Sequence, residues 1–129
     1  MRIKLISIFV DDQEKALRFY TDVLGFEKKR DFPVGGGRWI ALVSPEGPDD
    51  LELVLEPNGH PAASAYQSAL MKDGIPATAF ESADIRGEVQ RLKERGVAFT
   101  MQPTVAGTVT IAIFSDTCGN LIQLYQQNT

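Results

Sequence analysis

The sequence predicts an α+β fold: two tandem βαβββ modules whose curved mixed sheets surround a concave cavity, with helices on the outer face. Three features point to it. The chain repeats itself: adding 72 carries Asp12 onto Asp84, Leu17 onto Val89 and Tyr20 onto Leu92, and adding 71 carries Gly25 onto Gly96 and Leu51-Glu52-Leu53 onto Ile122-Gln123-Leu124. Each half has one segment with apolar residues at helical spacing. Most remaining segments alternate apolar and polar residues between turn signals, as strands do. Each half is too small to bury its own sheet. Both are therefore read as parts of one domain over 1–129, with module 1 at about 1–57, a connecting helix at about 61–73 and module 2 at about 75–127.

In order, residues 3–10 read as a strand, with Ile6, Ile8 and Val10 on one face and Leu5, Ser7 and Phe9 on the other. Asp11 and Asp12 offer an N-cap for a helix over 13–24, where Leu17, Tyr20 and Leu24 form the stripe and Glu14 and Arg18 pair at i,i+4. Gly25 ends that helix in the left-handed region. Residues 26–32 read as a strand broken by Pro33 and the Gly35-Gly36-Gly37 turn. The three glycines lack the following helix and Lys-Ser/Thr pair of a phosphate loop. Strands at 39–43 and 51–56 follow, then a helix over 61–72 with Ala62, Tyr66, Ala69 and Leu70 inward. The second half reads as a strand at 77–82, an Asp84-capped helix with Ile85, Val89 and Leu92 as its stripe, a Gly96 cap, and strands at 97–101, 108–115 and 121–125. The alternation predicts Val109, Ile111 and Ile113 against the helix, and Glu52, Val54, Glu56, Ala77, Ala79, Glu81, Gln123 and Tyr125 on the opposite faces.

The apolar fraction of 43% and charged fraction of 23% exclude a disordered chain, a collagen-like repeat and a disulfide scaffold. No apolar run approaches the roughly 18 residues of a membrane helix. The N-terminus lacks a secretory pattern, and the single Cys118 suits a reducing compartment, so the expectation is a cytoplasmic protein. A net charge of −4 argues against a nucleic-acid partner. The densest basic cluster, Lys28-Lys29-Arg30, reads as the solvated face of a strand edge.

Glu52 lies between leucines, and a carboxylate there requires a partner or a function. Its partner in the repeat is Gln123. Two polar groups related by the repeat suggest a shared central site. His60, the lone histidine, precedes Pro61 in a loop and reads more readily as a capping or solvated residue than as a ligand. Cys118, in the last hairpin turn, reads as an exposed or half-exposed thiol with no base to activate it.

The segments IFVDDQEKALRFYTDVLGF (8–26), LELVLEP (51–57) and SDTCGNLIQLYQ (115–126) resemble the vicinal oxygen chelate superfamily of glyoxalases, bleomycin-resistance proteins and extradiol dioxygenases. The resemblance implies paired βαβββ modules and a homodimer, or a monomer whose halves close on each other. It also implies four metal-ligand positions, at Leu5, Glu52, Ala77 and Gln123. Leu5 and Ala77 cannot coordinate, so no cofactor is expected. If a divalent metal is held, Glu52 and Gln123 are the donors, with His60 a further candidate. The favoured reading is a protein that binds a small organic molecule through Phe9, Phe32, Trp39, Glu52, Tyr66, Gln123 and Tyr125, with a degenerate metal site. The alternative is a metal-dependent lyase or dioxygenase in which Glu52 is base or ligand. A non-catalytic partner domain is a third possibility.

Overall fold

A computed structural model describes residues 1–128 and divides into two compact units, Met1–Tyr66 and Gln67–Thr129. The first contains β1 (Leu5–Val10), α1 (Gln13–Arg18), β2 (Glu27–Val34), β3 (Gly37–Val43) and β4 (Glu52–Pro57). Helix α2 (Pro61–Lys72) spans the division. The second contains β5 (Thr78–Glu81), α3 (Ile85–Glu94), β6 (Phe99–Ala106), β7 (Val109–Ser115) and β8 (Leu121–Gln127). The sheets have corresponding orders, β1-β4-β3-β2 and β5-β8-β7-β6, with one parallel pair in each. Two βαβββ modules are thus present in tandem.

In module 1, Asp12 caps α1 by accepting from the Lys15 N–H. After one and a half turns α1 continues as a π-helical segment, Phe19–Val23, so the predicted helix is present but not α-helical throughout. Gly25 ends it at φ +88°. The face of the sheet against α1 holds Ile8, Val10, Ile40, Leu42, Leu53 and Leu55, all buried. Ile6, expected there, is exposed at the strand's start. Strand β2 does not stop at Pro33. It is an edge strand, where the missing N–H costs no ladder bond, and it runs on to Val34. Gly35 and Gly36, both at positive φ, then make a two-residue hairpin turn to Gly37.

Strands β3 and β4 pair through two residue pairs only, Ala41↔Val54 and Leu42↔Leu53. Where they separate, the Gln13 side chain completes the backbone bonding. Its Nε2 donates to the Arg38 and Leu55 carbonyls at 2.6 and 2.9 Å, and its Oε1 accepts from the Arg38 N–H at 3.0 Å. Beside it, the Arg38 guanidinium joins β3 to β2 through both oxygens of Asp31 and to α1 through Glu14. Arg38 holds the Asp31 carboxyl below the usual range.

In module 2, Asp84 caps α3, and Ile85, Val89 and Leu92 form its buried stripe as predicted. Strands β7 and β8 pair over seven residues without interruption. The register places Ala112 and Phe114 beside Leu124 and Ile122 on the α3 face, and Ile111 and Ile113 beside Tyr125 and Gln123 on the other. The expected alternation of β7 is therefore inverted. The strand is apolar on both faces, so period two alone carried no phase.

Helix α2 turns Ala63 and Gln67 inward and leaves Tyr66 57% exposed, contrary to the expected stripe. The buried Gln67 Nε2 donates to the Cys118 carbonyl and to Asn120 Oδ1 at 3.0 and 3.1 Å. Asp116, also buried, accepts from the Cys118 and Asn120 N–H groups through Oδ1 and from Asn120 Nδ2 through Oδ2. Cys118 is fully buried in this network, not exposed as its turn position suggested. Gly119 is required there: φ is +98°, and a Cβ would lie 2.7 Å from Gln67 Nε2.

Candidate functional site

Glu52 opens β4 on the sheet face away from α1, directly across from Leu5. Strand β2 slips register between Lys28 and Arg30. This bulge adds Lys29 to the strand and lets two successive cations reach Glu52. Arg30 Nε donates to Oε1 at 3.0 Å and Nη2 to Oε2 at 3.4 Å. Lys29 Nζ lies 3.6 Å from Oε2 and donates to the Asp49 carbonyl at 2.6 Å. The Glu52 side chain is 12% exposed and that of Arg30 49%, so the carboxylate lies beneath its cations. The Arg30 hydrogen bonds hold the Glu52 carboxyl below its ordinary value of 4.5 against the opposing effect of burial, with Lys29 adding to the shift. Glu52 is an ionised anchor for a fixed guanidinium, and a carboxylate so stabilised is a poor proton acceptor.

Two residues along β2 on the same face, Phe32 pairs with Trp39 of β3. Their rings stack at 6.4 Å between centroids and 17° between planes, and Phe32 is 47% exposed. The structure therefore joins three expected residues, Phe32, Trp39 and Glu52, on one sheet face. Phe9 lies on β1 across from Glu56, whose Oε1 accepts from Ser7 Oγ at 3.3 Å.

In module 2, Gln123 and Tyr125 share the β8 face away from α3, with Gln123 between Ala79 of β5 and Ile113 of β7. The ladders correct the pairing of Glu52 with Gln123 across the repeat. Ser7 faces Val54 while Ala79 faces Gln123, and Ala41 faces Val54 while Ile113 faces Gln123. Because Ser7 and Ala41 shift by 72 onto Ala79 and Ile113, Gln123 is the counterpart of Val54. The counterpart of Glu52 is Leu121. A two-residue slip leaves every side chain on the same face, so the sequence pattern could not reveal it.

The donor set does not fit a metal ion. Leu5 and Ala77 are hydrocarbon, and Glu52 is committed to Arg30 and Lys29. His60 Nδ1 accepts from the Ala62 N–H at 3.0 Å and so caps α2. His60 follows β4, whereas Glu52 begins it, so a strand length of roughly 16 Å separates the two. Among the described residues there is no group of three or more His, Cys, Asp or Glu side chains that could hold a metal. No helix among them is long and apolar enough to cross a membrane.

Sequence reasoning passed over Lys29 and Arg30, reading them as a solvated edge. The available signal was a run of three cations on a strand predicted to share a sheet with an isolated glutamate.

Residues 2–124 match the model of the Glyoxalase/Bleomycin resistance protein/Dioxygenase superfamily, and the chain belongs to that family. It is 59% identical to Bacillus subtilis (strain 168) YurT over 127 residues, covering 98% of this chain and 100% of that one. Among solved structures, UcmS2 is 30% identical with a TM-score of 0.83 over 97% of both chains. TnmS3, an antibiotic binding protein from Streptomyces sp. CB03234, is 31% identical with a TM-score of 0.79, over 99% of this chain and 97% of that one.

Proposed function

We propose that this protein binds a small organic molecule against the helix-free faces of its sheets and works without a resident metal. The observation that carries this reading is the Arg30–Glu52 ion pair beside the stacked Phe32 and Trp39. Aromatic side chains beside a few fixed polar groups are what line small-molecule sites. The antibiotic binding protein TnmS3, similar over nearly the whole chain, supports the same reading. Phe9, Tyr66, Gln123 and Tyr125 are further ligand-binding candidates. The protein acts as a cytoplasmic homodimer, and its single, buried thiol accords with a reducing compartment.

The test is twofold. Elemental mass spectrometry, on protein incubated with nickel, zinc, manganese and iron(II) and then desalted, should find substoichiometric metal. One tightly held ion per chain would overturn the metal-free reading in favour of a lyase or dioxygenase. Emission of Trp39, the single tryptophan, should then respond saturably to aromatic small molecules, and Glu52→Ala should change that response.

A further inference from the structure

We infer that the ligand's recognised group is an anionic oxygen function carried on a planar aromatic ring, seated on Arg30. The inference rests on the small-molecule-binding reading above and names the chemistry of its ligand. A guanidinium has five N–H donors, and Glu52 takes one from Nε and one from Nη2. Among the described residues, Nη1 of Arg30 has no hydrogen-bond partner, and the side chain is half-exposed. The donor is also held in place. Glu52 fixes the plane of the guanidinium through two nitrogens, and the bulge fixes the strand beneath it. An arginine so oriented loses little freedom when it accepts a second oxyanion.

The aromatic requirement comes from the adjoining surface. Phe32 lies two residues from Arg30 on the same face, roughly 7 Å along the strand, and is backed by the near-parallel ring of Trp39. An exposed ring at that distance from a guanidinium suits a flat molecule with an acidic substituent at one end. A cationic ligand is disfavoured because the Glu52 oxygens are already taken by Arg30 and Lys29. Two other carboxylates share this face. Glu27 is exposed on the edge strand, before the bulge, and Glu56 lies four residues beyond Glu52 on β4, where its Oε1 accepts from Ser7 Oγ; neither bonds Arg30.

The experiment compares 2-naphthoate, 2-naphthamide and 2-naphthylmethylammonium by titration calorimetry, with Trp39 emission reporting where they bind. The carboxylate should bind about tenfold more tightly than the amide, the scale of one charge-assisted bond. The preference should shrink as salt is raised. Arg30→Gln should abolish it and Arg30→Lys should keep part of it, with circular dichroism showing both variants folded. If the three compounds bind equally and all perturb Trp39, aromatic binding stands and the anion seat is overturned. If the ammonium compound binds most tightly, the seat is likewise overturned. If none perturbs Trp39, the small-molecule reading fails and the seat fails with it. The wild-type series alone decides the matter should an Arg30 variant not fold.

Discussion

The rung Ser7–Val54–Ala41–Arg30 in module 1 and the rung Ala79–Gln123–Ile113–Met101 in module 2 occupy equivalent places in the repeat. Both end on a strand that slips register just before the last residue, after Lys28 in β2 and after Phe99 in β6. The backbone device is the same, but what it presents differs. In module 1 it holds a guanidinium over a carboxylate; in module 2 it sets the thioether side chain of Met101 beside Ile113. The halves also differ in closure. Strands β7 and β8 pair over seven residues, whereas β3 and β4 pair over two and rely on Gln13. The α1 and α3 faces are alike because packing constrains them. The helix-free faces are free to carry different chemistry, and the charged one is the better candidate for recognition.

The most severe test of this asymmetry is Gln13→Ala. It leaves one N–H and two carbonyls of β3 and β4 without their partner and should cost about 2–3 kcal/mol in urea unfolding. Gln126→Ala in module 2 removes one bond, to the Ile85 N–H, and should cost about 1 kcal/mol. Equal losses would mean that Gln13 is not the suture it resembles.

Exchanging charge between the halves should be the next largest effect. Gln123→Glu places a carboxylate between Ala79 and Ile113 and should destabilise by about 1–2 kcal/mol at neutral pH, less in acid. Glu52→Gln removes an ion pair whose Arg30 partner is half-exposed, so about 0.5–1 kcal/mol is expected.

Acid should act first on module 1. The carboxyls of Glu52 and Asp31 are held below their ordinary values of 4.5 and 3.8, chiefly by Arg30 and Arg38. The stability they contribute is complete above those ordinary values and is lost as pH falls through the lower values of the folded state. Amide protection factors, taken relative to intrinsic exchange at each pH, should therefore fall in β2–β4 before they fall in β6–β8 as pH is lowered through that range. Glu52→Gln should lessen the effect, and simultaneous loss in both modules would count against it.

A similarly small effect is expected of Arg30→Met, which makes the module 1 edge like its counterpart at Met101. The Glu52 carboxylate keeps Lys29, so stability should fall by about 1 kcal/mol, a smaller change than the loss of binding selectivity. A large destabilisation would make Arg30 structural.

What was legible in the sequence was whatever local chemistry determines. Asp12 and Asp84 announce the helix starts, Gly25 and Gly96 their ends, and Ile85, Val89 and Leu92 the buried stripe. What was not legible depends on pairing at a distance. The bulge that turns Lys29 and Arg30 onto Glu52 requires knowledge of β3, as does the two-residue slip separating Glu52 from Gln123. Cys118 is buried because Gln67, fifty-one residues earlier, closes over its turn, and no turn signal encodes that. Pro33 read as a breaker only because an edge strand cannot be recognised before the strand order is known.

The charged rung of module 1 is the proposed place of recognition. Protein NMR with 2-naphthoate as the probe tests it most directly. The largest shifts should fall on the Arg30 guanidinium N–H groups and the Trp39 indole N–H. Largest shifts at Ile113 and Gln123, with Arg30 and Trp39 unmoved, would contradict it.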